Sequence, residues 1–116
     1  MRRVLAAAVV VLCTMAMATA CSDDEGGSKE TKTIEITFSG DDVTPSGERV
    51  EVDVDQPIDL VVTADAPGEI HVHSAPEHEF AYEVGTTTFE MQIDKAGVVE
   101  VESHDLEKVI VQLEVR

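Results

Sequence analysis

From Thr33 to the end of the chain, apolar residues recur at every second position, the period of a β-strand with one buried face. "TIEITF" (33–38) sets Ile34, Ile36 and Phe38 on one side. "RVEVDV" (49–54) turns Val50, Val52 and Val54 inward, with Glu51, Asp53 and the following Asp55 outward. "IDLVVTA" continues the rhythm with Ile58, Leu60 and Val62, and "EIHVHS" (69–74) with Ile70 and Val72. "TTFEMQI" offers Phe89, Met91 and Ile93; "VVEVES" offers Val99 and Val101; "VIVQLEV" offers Val109, Val111, Leu113 and Val115. Turn residues separate these runs: Ser39-Gly40-Asp41, Pro45-Ser46-Gly47, Gln56-Pro57, Pro67-Gly68 and Ala96-Gly97. No stretch carries a helical period. Seven or eight short strands over residues 33–116 predict an all-β, antiparallel Greek-key β-sandwich. Its core is small, with only three Phe and one Tyr to fill it.

The chain before Thr33 reads differently. Arg2 and Arg3 precede an apolar stretch that ends in Ala18-Thr19-Ala20, the organisation of a secretory signal peptide over residues 1–20. Cys21 follows at once, and small residues before a cysteine resemble the lipobox of bacterial lipoproteins. In that family the cysteine sulfur receives a diacylglycerol, and the cysteine becomes the mature N-terminus. The resemblance implies lipidation at Cys21 and a lipid-anchored protein on the extracytoplasmic side of the cell membrane. The alternative is ordinary cleavage after Ala20, leaving a free thiol. Residues 22–32, "SDDEGGSKETK", are polar and glycine-containing and predict a flexible acidic tether. With Cys13 inside the signal, the domain at 33–116 holds no cysteine and must be stable from its core alone.

The chain has 24 acidic and 8 basic residues, a net charge of −16. Such a field repels nucleic acid and attracts cations, so no nucleic-acid partner is expected. The row Glu51, Asp53, Asp55 lacks the spaced oxygens and glycine turn of a calcium loop and reads as a solvated edge. Nothing in the sequence names a protein partner.

Two longer phrases carry a second resemblance. "VTPSGERVEVDVDQPIDLVVTADAPGEIHVHS" and "TFEMQIDKAGVVEVESH", followed by a last strand, resemble the cupredoxin-like family in the order of their features over about residues 33–116. Gln56-Pro57 replaces the glycine turn usual in the first phrase, while Gly97 to His104 follows the outline of the second. The resemblance implies a cupredoxin-like sandwich and copper. It does not imply a type 1 blue-copper centre. Ser103 stands where the copper thiolate is expected, and a blue site needs two histidines and a cysteine.

The histidines supply the remaining chemistry. Strand parity puts Glu69, His71 and His73 on one face, opposite Ile70 and Val72, and Glu100, Glu102 and His104 on one face, opposite Val99 and Val101. In the cupredoxin-like topology these two strands are neighbours. His71, His73 and His104, with Glu102 or Glu100, then form a candidate donor set for Cu(II) first and Zn(II) second. His78 is placed to close over it. Met91 alternates with Phe89 and Ile93 and reads as core. Ser103 and His104 point to opposite faces, so they form no nucleophile pair, and no enzyme is expected. The predicted role is binding a divalent metal for storage, delivery or sensing. The alternative is a metal-free interaction module whose His and Glu rows are only a solvated sheet face.

Overall fold

The computed structural model describes residues 29–116, so the signal segment and Cys21 lie outside the described residues. Nine strands follow one another: β1 (Lys32–Ser39), β2 (Asp42–Thr44), β3 (Glu48–Val52), β4 (Ile58–Ala64), β5 (Gly68–Val72), β6 (His78–Tyr82), β7 (Gly85–Met91), β8 (Gly97–Ser103) and β9 (Lys108–Val115). They form a four-stranded sheet, β2-β1-β4-β7, and a five-stranded sheet, β3-β9-β8-β5-β6. No helix occurs among the described residues.

The alternation in the sequence becomes the division between core and solvent. Ile34, Ile36 and Phe38 of β1, Ile58, Leu60 and Val62 of β4, Ile70 and Val72 of β5, and Val99 and Val101 of β8 are all buried in one cluster. Met91 joins them, as its place between Phe89 and Ile93 predicts. Phe38 stacks on Tyr82 at 4.8 Å between ring centroids, tying β1 of one sheet to β6 of the other. Burial of this cluster from both inner faces is the main stabilising term, as no disulfide is available to the domain.

Three details depart from the pattern. Five ladders are antiparallel, as expected, but β1 pairs β4 and β3 pairs β9 in parallel. After β2 the chain crosses to the other sheet as β3 and returns to begin β4 at the end where β1 begins, with the Lys32 N–H donating to the Pro57 carbonyl at 2.8 Å. Second, β2 and β6 were invisible to the apolar rhythm, since β2 has only Val43 to bury and β6 sets a histidine at its first inward position. Third, β9 carries a bulge. Val101 pairs with Val111 but Glu102 with Val109, leaving Ile110 unpaired. Ile110 and Val111 are therefore both buried, and Val109, expected inward, sits half-buried opposite an outward glutamate.

Candidate metal centre

β5 lies between β8 and the edge strand β6, and its period of two sorts its side chains. Ile70 and Val72 are fully buried; His71 points outward between Glu102 of β8 and Glu79 of β6, its partners across the two ladders. His73 stands one residue past the strand, and its N–H donates to the Glu100 carbonyl at 2.9 Å, which keeps it in line with His71. The chain then turns through Ser74-Ala75-Pro76, where the Ser74 hydroxyl donates to the Pro76 carbonyl at 2.7 Å. That short turn brings Glu77 back beside the two histidines.

The result is a compact group. His71 Nε2 is 2.9 Å from Glu77 Oε2, and His73 Nδ1 is 3.9 Å from Glu77 Oε1. The imidazole rings lie 4.4 Å apart, tilted by 31°. His71, His73 and Glu77 can each offer one ligand atom with all three within 4.8 Å of one another. On its far side His73 Nε2 donates to Glu102 Oε2 at 3.0 Å. A carboxylate on the outer nitrogen of an imidazole fixes its tautomer and leaves the inner nitrogen as a lone-pair donor, the arrangement common behind metal-bound histidines. Two cis ligands about 2.1 Å from an ion are separated by about 3.0–3.4 Å, so the 2.9 Å between His71 and Glu77 needs little adjustment.

The electrostatics agree with the geometry. The hydrogen bond to Glu77 raises the His71 pKa above 6.5, helped by the charges of Glu77, Glu79 and Glu102 and opposed by partial burial. The hydrogen bond from His73 holds the Glu102 carboxyl below its ordinary value. In the metal-free protein the His71–Glu77 contact therefore stabilises the fold below about pH 6.5 and loses that effect as the pH rises through the raised value. A titration followed by NMR should give His71 a pKa above that of an ordinary histidine, and Glu77→Gln should lower it. An unchanged value in the variant would mean the contact does not hold the proton.

Of the residues singled out in the sequence, His71, His73 and Glu102 come together and His104 does not join them. With β5 and β8 antiparallel and His71 opposite Glu102, position 104 falls opposite Glu69, whose carbonyl accepts the His104 N–H at 3.0 Å. His104 sits in the exposed β8–β9 turn, outside the group of convergent donors. His78 faces the opposite way from His71, half-buried and stacked on Phe80 at 5.6 Å. Glu100 accepts from Gln112 Nε2 at 3.5 Å and is not among the convergent donors. Glu77 is the residue that sequence reasoning missed. Its signal was the turn: with Ser74-Ala75-Pro76 at the tip of a hairpin, position 77 returns opposite position 73. Ser103, which the resemblance set in place of the copper thiolate, ends β8 1% exposed, and its hydroxyl accepts the Leu106 N–H at 3.2 Å.

No protein-family model matches the chain, and no curated protein matches it. Solved structures do. A copper(I) form of a mutant amicyanin superposes with a TM-score of 0.54 at 9% identity, covering 72% of this chain and 82% of that one. The purple cupredoxin from Nitrosopumilus maritimus gives 0.52 at 18% identity, covering 73% of this chain and 99% of that one. Fet3p, a multicopper oxidase that functions in iron import, gives 0.56 at 14% identity; the match takes in 75% of this chain but only 23% of Fet3p. Likeness at such identities establishes the fold, and the fold is a cupredoxin-like β-sandwich.

Proposed function

We propose that the protein binds a divalent metal, copper(II) first and zinc second, through His71 Nε2, His73 Nδ1 and the Glu77 carboxylate. The convergence of these three donors within 4.8 Å, with Glu102 orienting His73 from behind, carries the reading. Imidazole and carboxylate suit Cu(II), which leads the affinity order of the divalent ions. The copper forms of the structural neighbours add support from the fold. Each residue has a part: His71 and His73 supply nitrogen, Glu77 supplies charge and oxygen, and Glu102 takes the outer proton of His73. An ion would replace the hydrogen bond between His71 Nε2 and Glu77 Oε2.

The proposed role is storage, delivery or sensing of the metal, not catalysis and not blue-copper electron transfer, because Ser103 offers no thiolate. Added to the purified protein, one equivalent of Cu(II) should remain bound after desalting. It should give an electron paramagnetic resonance (EPR) spectrum with nitrogen couplings and no intense thiolate charge-transfer colour. A deep blue complex, or copper that passes straight through the column, would refute the reading.

A second reading is favoured by one observation. Both imidazoles already have carboxylate partners, His71 with Glu77 and His73 with Glu102, so the cluster is complete without an ion. On that reading the sandwich is a metal-free interaction module, its fold a scaffold only.

We also propose that Cys21 carries a lipid and holds the protein to the extracytoplasmic face of the membrane. The lipobox-like Ala18-Thr19-Ala20-Cys21 supports this, and two or more acyl chains anchor where one binds only marginally. Labelled palmitate should enter the wild-type protein and not Cys21→Ser. A wild-type protein that stays unlabelled would leave the free-thiol alternative.

A further inference from the structure

We infer that an ion held by His71, His73 and Glu77 keeps open positions on its solvent side and takes there a neutral imidazole donor from outside the chain. The inference rests on the metal site proposed above and concerns what completes it.

All three donors come from one seven-residue stretch, the end of β5 and the turn after it. Strand parity sets His71 and His73 on the outer face of the sheet, and the turn brings Glu77 to that face beside them. The neighbouring candidates are committed elsewhere: Glu102 accepts from His73 Nε2, His78 stacks inward on Phe80, and His104 lies opposite Glu69. Among the described residues no fourth donor joins the group. Cu(II) favours tetragonal surroundings of four or more ligands, so water would fill at least one position. Access is free, because the Glu77 side chain is 59% exposed and that of His73 is 38% exposed.

Charge selects the class of ligand. Besides Glu77, the carboxylates of Glu79 and Glu102 act on His71, and Glu100 stands across the ladder from His73. An incoming anion is opposed by these surrounding carboxylates; a neutral nitrogen donor is not. Imidazole is the neutral donor best matched to Cu(II) in proteins. The exchange is balanced and involves no electron transfer: one bound water leaves as one imidazole nitrogen bonds. The imidazole can come from free histidine or from a histidine side chain of an acceptor protein, and the second source makes the open position a route for handing the metal on.

The test uses the copper-loaded, desalted protein. Imidazole, a peptide with a single histidine, and azide are titrated in separately, followed by EPR and by ultrafiltration to show that copper stays with the protein. Imidazole should give a saturable new spectrum with an additional nitrogen coupling while copper is retained, and azide should bind at least tenfold more weakly. Glu79→Gln, which removes a nearby charge but no ligand, should strengthen azide binding roughly threefold. A peptide that matches imidazole assigns the position to a protein side chain; a peptide that fails while imidazole binds assigns it to a small molecule. Retained copper with an unchanged spectrum would overturn the inference and leave the metal site standing. So would azide binding as well as imidazole, or imidazole stripping the copper with no intermediate spectrum. Copper lost at the first desalting would instead sink the metal site itself.

Discussion

His71→Ala should lower the affinity for Cu(II) by roughly a hundredfold, at or beyond the upper end of what losing even an outer partner of a metal ligand costs. His73→Ala should cost about as much, and the double variant less than the product of the two, because a broken site cannot be broken twice. Glu102→Gln, which keeps the shape but weakens the grip on His73 Nε2, should cost about tenfold. His104→Ala should leave the affinity unchanged, since its register puts it opposite Glu69 and outside the group formed by His71, His73 and Glu77. The pH dependence has a definite sign. Protons and metal compete for His71, and its pKa is raised, so affinity should begin to fall at a higher pH than an ordinary histidine with pKa 6.5 would cause. Calorimetry on wild type and variants at two pH values measures all of this. Single variants that bind like the wild type would make the cluster a solvated face and favour the metal-free module.

The contrast between His104 and Glu77 marks the limit of what the sequence disclosed. Parity alone put His71 and His73 on the outer face, because a strand with Ile70 and Val72 buried has no other choice. It also put Glu102 and His104 on one face of β8. Parity says which side a residue occupies and nothing about how far along the strand it lies. That distance is set by register, and register comes from turns and pairing. The antiparallel match of His71 with Glu102 moves His104 away, and the turn at Ser74-Ala75-Pro76 brings Glu77 in. The same limit explains Val109, which one unpaired residue of a bulge moved to the outer face. It explains β6 as well: Phe80 and Tyr82 were too few apolar residues to signal a strand, although Tyr82 is deep in the core. The cupredoxin-like sandwich was legible because its signal is spread over many residues. A site of three side chains depends on single turns.

Gly68→Ala should be the most destabilising of the small surface-strand changes, although it adds only a methyl group. Gly68 opens β5 opposite Tyr82 of β6. A Cβ built on it would stand 2.5 Å from Asp105 Oδ2 and 2.6 Å from Tyr82 Cζ, and closer still to the Tyr82 hydroxyl. None of these atoms moves freely. The Tyr82 ring is 5% exposed and stacked on Phe38, so retreat would push into the opposite sheet. Asp105 Oδ2 accepts the Glu69 N–H at 2.9 Å, and moving it would break the contact that ties the β8–β9 turn to β5. Burial, then the Asp105 and Asp65 carboxylates, raise the Tyr82 pKa above 10.0, so the phenol meets the added methyl as a neutral, close-packed group. Overpacking of this kind costs roughly 2–3 kcal/mol, a fall of about 10–20 °C in Tm for a domain of this size. Tyr82→Phe in the same chain removes the nearest atom but not Cζ, so it should recover only part of the loss. Urea denaturation of the single and double variants decides the matter. A Gly68→Ala protein as stable as the wild type would mean that Tyr82 has room to move, and that β5 and β6 are less tightly joined at this end of their ladder than their packing indicates.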